Sequence, residues 1–202
     1  MTRKMKSVTT TEAISLPALD IRFLKVRVVG DSPLICHAWS EKARRQMLDK
    51  QMKKARGAKE AKDPQRDYEE SLYRLPDGGY GFPAIAFKRA AVSACRNIEG
   101  VTMSLARGAF HVVGELVPLE GEPRMREDMV RIQMTTDIRY RAEFPTWAAE
   151  LTIRYNARII SMEQIVHLLN VAGFAVGIGE RRPERQGDGY GLFHVRREGE
   201  SS

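Results

Sequence analysis

Gly177-Ile-Gly-Glu-Arg-Arg-Pro-Glu-Arg-Gln-Gly-Asp-Gly-Tyr-Gly191 follows an apolar run of helical period and precedes the short apolar segment Leu192-Phe193-His194-Val195. Glycine tolerates positive φ and lets a backbone come close to a ligand, while exposed amides and guanidinium groups suit phosphate oxygens. Gly177, Gly179, Gly187, Gly189 and Gly191, together with Arg181, Arg182 and Arg185, are therefore predicted to form a phosphate-facing loop. A dinucleotide-binding fingerprint is excluded, because its glycines follow a strand and open a helix. A P-loop is excluded because the chain contains no Gly-Lys-Ser or Gly-Lys-Thr.

Upstream, Ser161-Met-Glu-Gln164 is a capping box, and Ile165, Leu168, Leu169, Ala172 and Val176 give the apolar face of the helix that enters the loop. Alternating runs at 110–119, 130–144 and 148–155 predict antiparallel strands, with Glu120–Asp128 as a charged loop between them. Pro83 opens a second helix whose Phe87, Ala90, Ala91, Ala94, Cys95 and Ile98 recur at three-to-four spacing. That spacing leaves Lys88 and Arg89 on other faces, available to an anion. Asp77-Gly78-Gly79 marks a hairpin turn, and Ile21–Val29 alternates Leu24, Val26 and Val28 against Lys25 and Arg27 as a strand with one basic face.

The element order is strand, insertion, helix, two or three antiparallel strands, helix, glycine loop, strand. This predicts an α+β fold, a ferredoxin-like or RRM-like antiparallel sheet with two packing helices. One domain is expected over 19–197, with a loose arm at 1–18 and a polar tail at 198–202. Its insertion is 40–75, and the stretch 40–63 within it is rich in charge and nearly devoid of an apolar stripe, so it is predicted to protrude as a basic helix or to order only on contact. Lys42, Arg44, Arg45, Lys53, Lys54 and Arg56 are its candidate phosphate contacts. A solvated helix without a ligand fits the same pattern.

The excess of 33 Lys+Arg over 26 Asp+Glu, a formal +7, favours an acidic partner. Cys36 and Cys95 are expected as buried reduced thiols, and no C-x-x-C or histidine cluster points to a metal or any other cofactor. With no apolar span of about 18 residues and no apolar signal core after Met1, a cytoplasmic protein of a prokaryotic host is expected. The polar faces of the predicted strands show no recognisable pair of aromatics, so stacking candidates fall in loops: Trp39, Phe82 and Tyr190.

Gly81-Phe-Pro-Ala-Ile-Ala-Phe-Lys-Arg-Ala90 and the helix–loop–strand at 168–195 resemble the RAMP superfamily of CRISPR proteins, above all the backbone subunits that polymerise along guide RNA. The resemblance covers about half the chain and implies an RRM-like palm that grips single-stranded RNA or DNA through its backbone, with head-to-tail self-association. A stand-alone phage or mobile-element relative would look the same. Within the loop, Glu180, Glu184 and Asp188 depart from a plain basic run. The leading expectation is thus a non-catalytic single-stranded nucleic-acid binder. One alternative is a metal-independent endoribonuclease using His37 as general acid or base. Another is a protein-only module that mimics a RAMP subunit.

Overall fold

The computed structural model describes residues 18–54, 61–132 and 135–197. The arm up to residue 17, Arg56 and the tail at 198–202 lie outside those residues. Strand β1 (Ile21–Gly30) buries Val26 and Val28 on one face and turns Lys25 to solvent on the other, as its alternation requires. After β1 come β2 (Leu34–Ile35), helices α1 (Glu41–Gln51) and α2 (Pro64–Glu70), and the hairpin β3 (Tyr73–Arg74) and β4 (Tyr80–Pro83). Helices α3 (Ala84–Ala94) and α4 (Met103–Ala109) lead to β5 (Phe110–Val112), β6 (Leu116–Glu120), β7 (Arg124–Ile132), β8 (Thr135–Phe144) and β9 (Ala148–Asn156). The chain ends in α5 (Met162–Ala175), the short α6 (Pro183–Gln186) and β10 (Phe193–Val195).

Two antiparallel sheets result. The larger has the order β10-β1-β9-β6-β4-β3, with β5 also paired to β9, and the smaller has the order β2-β8-β7. Helices α3 and α5 pack against each other and share one core with Val26, Val28, Leu151, Ile153 and Phe193. The fold is therefore a mixed α+β arrangement around a large antiparallel sheet. Among the described residues no helix is long and apolar enough to cross a membrane.

Several expectations needed revision. Among the described residues, the stretch expected as a helix at 40–63 is helical only over α1, and a second short helix, α2, follows it. Asp63 caps the second by accepting from the Arg66 amide, and Pro64 stands at its first position. Glu120–Asp128 is only partly a loop, since Arg124–Asp128 belong to β7 and pair with β8. Cross-strand partners Arg124↔Glu143 and Asp128↔Arg139 supply opposite charges there, which lets a charged sequence adopt a strand. Helix α4 lacks a long apolar stripe and was not foreseen; Thr102 caps it. The Ser161 capping box is present with both of its hydrogen bonds, and Cys36 and Cys95 are free and buried. Burial pushes the Cys36 thiol up to about 12, which removes it as a nucleophile.

Gly173 lies inside α5, where alanine is ordinarily favoured over glycine by about 1 kcal/mol. A Cβ at this position would overlap the Phe193 carbonyl of β10. Gly173→Ala is accordingly expected to destabilise the protein by about 1–3 kcal/mol through overpacking. A urea unfolding midpoint equal to or above that of the native chain would contradict this packing.

Candidate nucleic-acid interface

The glycine loop is laid against the segment that follows β1. The Glu180 amide donates to the Ile35 carbonyl at 3.0 Å, the Gly191 amide to Pro33 at 2.9 Å, and the Ile178 amide to Gly191 at 3.0 Å. Gly179 has φ +78° and Gly191 φ +66°. A side chain at the first would strike Leu34 and the Ile35 carbonyl, and at the second the Ile178 backbone. These two glycines serve close contact between chain segments. Gly187 and Gly189, by contrast, face open space.

The loop arginines divide in the same way. Arg181, a non-glycine residue at φ +58°, donates through Nε to Asp188 at 2.8 Å and through a terminal nitrogen to Asp128 at 3.0 Å. Asp128 is buried and also accepts from Arg126 at 2.9 Å, while Arg126 donates to Glu143 at 2.7 Å. Burial opposes the charge on Arg126, yet Glu143 and Asp128 hold its guanidinium protonated above the ordinary value. Arg141 stands 3.6 Å from Asp128, and burial lowers its affinity for its proton. Tyr190 has Arg126 and Arg181 over its ring, 4.8 and 5.0 Å from the centroid. Arg181 and Tyr190 thus fasten the loop to β7.

Arg182 and Arg185 look the other way. With His37, Tyr73, Ile85 and Arg89 they line a cleft of about 310 Å3 between the first turn of α3 and the glycine loop. Arg182 donates to the Gly179 carbonyl at 3.0 Å, and Arg185 stands 3.7 Å from Glu180. Arg89 is exposed and has no ion pair among the described residues. His37 Nδ1 lies 3.3 Å from Glu180 Oε1 across a separation of 143 residues, a partnership that no local pattern could signal. The hydrogen bond to His37 holds the Glu180 carboxyl down to about 2 against the opposing effect of burial. Three guanidinium groups and an imidazole against Glu180 and Glu184 give this cleft a cationic balance suited to phosphate.

The other candidates lie apart. Trp39 is 65% exposed and carries Arg44 over its ring at 5.8 Å, immediately before α1. Arg45 and Lys53 are exposed on or just past α1, Lys54 pairs with Asp49 at 3.2 Å, and Lys42 belongs to the first turn of that helix. Two residues are not where the pattern put them. Phe82 is 4% exposed, packed edge-on against Tyr73 and Phe87. Lys88 is buried, its ammonium donating to the Ala106 and Phe110 carbonyls above the Phe110 ring, and burial lowers it to about 8. It ties α3 to the end of α4 and cannot reach a strand in solvent.

No protein-family model and no curated protein matches this chain. Among solved structures, it is similar to a chain in the cryo-EM structure of the type III-B Cmr-beta bound to cognate target RNA. The identity is 12% and the TM-score 0.50, over 88% of this chain and 60% of that one. What this chain shares with that one is the fold. A second similar structure is the crystal structure of Cmr6 from Pyrococcus furiosus, at 10% identity and TM-score 0.47, over 89% of this chain and 100% of that one. This chain spans 60% of the first neighbour's length.

The depressed Glu180 carboxyl has a pH consequence. A lowered folded pKa contributes stability above the unfolded value, here about 4.5, which is lost as pH falls towards about 2. The stability advantage of the native chain over Glu180→Gln should therefore be full at pH 6 and shrink steadily to pH 2.5, measured by urea unfolding. A difference that stays constant over that range would contradict the Glu180–His37 contact.

Proposed function

We propose that this protein binds single-stranded nucleic acid, RNA in preference to DNA, through the phosphate backbone and without catalysis. The observation that carries the reading is the cleft in which Arg89, Arg182 and Arg185 converge beside His37, with Arg89 exposed and in no ion pair among the described residues. The exposed cations of α1 extend the positive surface from the same connection, because Ser40 caps that helix three residues after His37. The order β10-β1-β9-β6, with α3 and α5 as the crossover helices, reads as a ferredoxin-like β-α-β-β-α-β core. The RAMP-like fold, shared with a chain of an assembly bound to target RNA, favours RNA as the ligand. Head-to-tail copies along the strand are the assembly this reading expects.

Removing cations that touch phosphate lowers the salt dependence of binding, by about 0.7 per contact for single strands. The double variant Arg89→Ala/Arg185→Ala should therefore reduce the slope of log K against log salt by about 1.4, measured by fluorescence anisotropy with an RNA oligonucleotide. An unchanged slope, or binding indifferent to salt, would overturn the assignment of the cleft. Light scattering should show mass rising with oligonucleotide length if copies line the strand.

One arrangement favours a second reading. A histidine oriented by a carboxylate inside a cationic cleft is competent for proton transfer at a ribose hydroxyl. The endoribonuclease alternative requires RNA cleavage in EDTA that His37→Ala abolishes. Intact RNA after prolonged incubation with the native protein would leave the non-catalytic reading standing.

A further inference from the structure

Among the described residues, the face of β1 and β9 turned away from the core that α3 and α5 share is exposed at Phe23, Lys25 and Arg154, and it carries a feature the sequence did not disclose. Phe23 is 63% exposed on β1. Its direct partner across β9 is Arg154, and the partner of Arg154 on the far side is His111 of β5. Direct partners share a sheet face, so the three flat side chains form one rung across three neighbouring strands, spaced by about 4.8 Å. All three are exposed. Most large aromatics of this chain are buried or packed against other rings, whereas Phe23 has no aromatic partner among the described residues.

Charge indicates the kind of occupant. Lys25 pairs with Glu150 at 3.0 Å, and Arg27 holds Glu120 by two hydrogen bonds of 2.6 and 2.7 Å, so the nearby acids on this face are neutralised. Arg154 has no ion pair among the described residues and supplies the surplus positive charge beside the ring. An apolar ring flanked by a guanidinium and an imidazole suits a nucleobase stacked on the ring with its phosphate beside the cation. Acidic peptides would match the cation but not the exposed ring, and a purely apolar partner would leave Arg154 desolvated and unpaired.

We infer that Phe23, Arg154 and His111 form a base-stacking subsite for single-stranded nucleic acid on the open sheet face, separate from the phosphate-binding cleft. This rests on the reading that the protein binds such strands. Along β1 the rung lies seven residues from Gly30, about 23 Å at the rise of a strand, so it sits towards the opposite end of the sheet from the loop.

The test compares a 12-nucleotide RNA with an abasic oligomer of equal length and charge, in fluorescence anisotropy. Phe23→Ala should weaken RNA binding roughly 5- to 150-fold, the range set by loss of one base–aromatic stack, and leave the abasic oligomer unaffected. Phe23→Trp should retain RNA binding, and Arg154→Ala should weaken binding of both ligands. Because both side chains are exposed, circular dichroism and melting should match the native protein. Unchanged RNA affinity in Phe23→Ala, or an equal loss on both oligomers, overturns the subsite while leaving the cleft to stand or fall by its own salt slope. Failure of the native protein to bind either oligomer sinks the subsite and the proposed function together. A Phe23→Ala variant that alters only self-association assigns the face to protein contact and overturns the inference.

Discussion

The backbone hydrogen bonds between the glycine loop and the segment after β1 hold the rest of the site in place. Glu180 to Ile35 and Gly191 to Pro33 close a long helix-to-strand connection onto the strand pair it must rejoin. Only glycine permits the approach at Gly179 and Gly191, because any side chain there would occupy the space of a neighbouring carbonyl. Once the loop is seated, His37 meets Glu180, β10 enters beside β1, and one wall of the cleft is complete.

A second layer of constraint is electrostatic. Asp128 lies buried between Arg126, Arg141 and Arg181, and Tyr190 is covered by two of the same guanidiniums. Buried charges of this kind contribute little net stability compared with apolar packing, but losing one partner leaves the others uncompensated. Their role here is positional: they join the loop to the small sheet. The cost is that Arg181 is turned away from the cleft, which leaves Arg89, Arg182 and Arg185 as the guanidinium groups lining it, with the exposed cations of α1 beside it.

Much of the fold was legible. The alternation of Leu24, Val26 and Val28, the capping box at Ser161 and the three-to-four spacing from Phe87 to Cys95 each mark an element that forms. These signals are local, and local periodicity reports which face is buried. The first half of β7, at 124–128, was obscured because the face it shares with β8 is built from paired charges instead of apolar residues. Lys88 was misplaced because a helical wheel shows direction but not the carbonyls of α4 and β5 waiting at that position. Of the site, the loop and His37 could be singled out by composition. Glu180 as the partner of His37, Asp128 as the anchor of Arg181 and the rung at Phe23 depend on contacts between distant segments, which a single sequence does not encode in any short pattern.

The central claim is that a single strand lies in the cleft between α3 and the glycine loop. Ultraviolet cross-linking of the protein to RNA, with the modified peptides mapped by mass spectrometry, tests it most directly. Adducts concentrated in 34–45, 81–96 and 177–191 are the expected result. Adducts confined to surfaces remote from these segments, with the cleft peptides unmodified, would contradict the account.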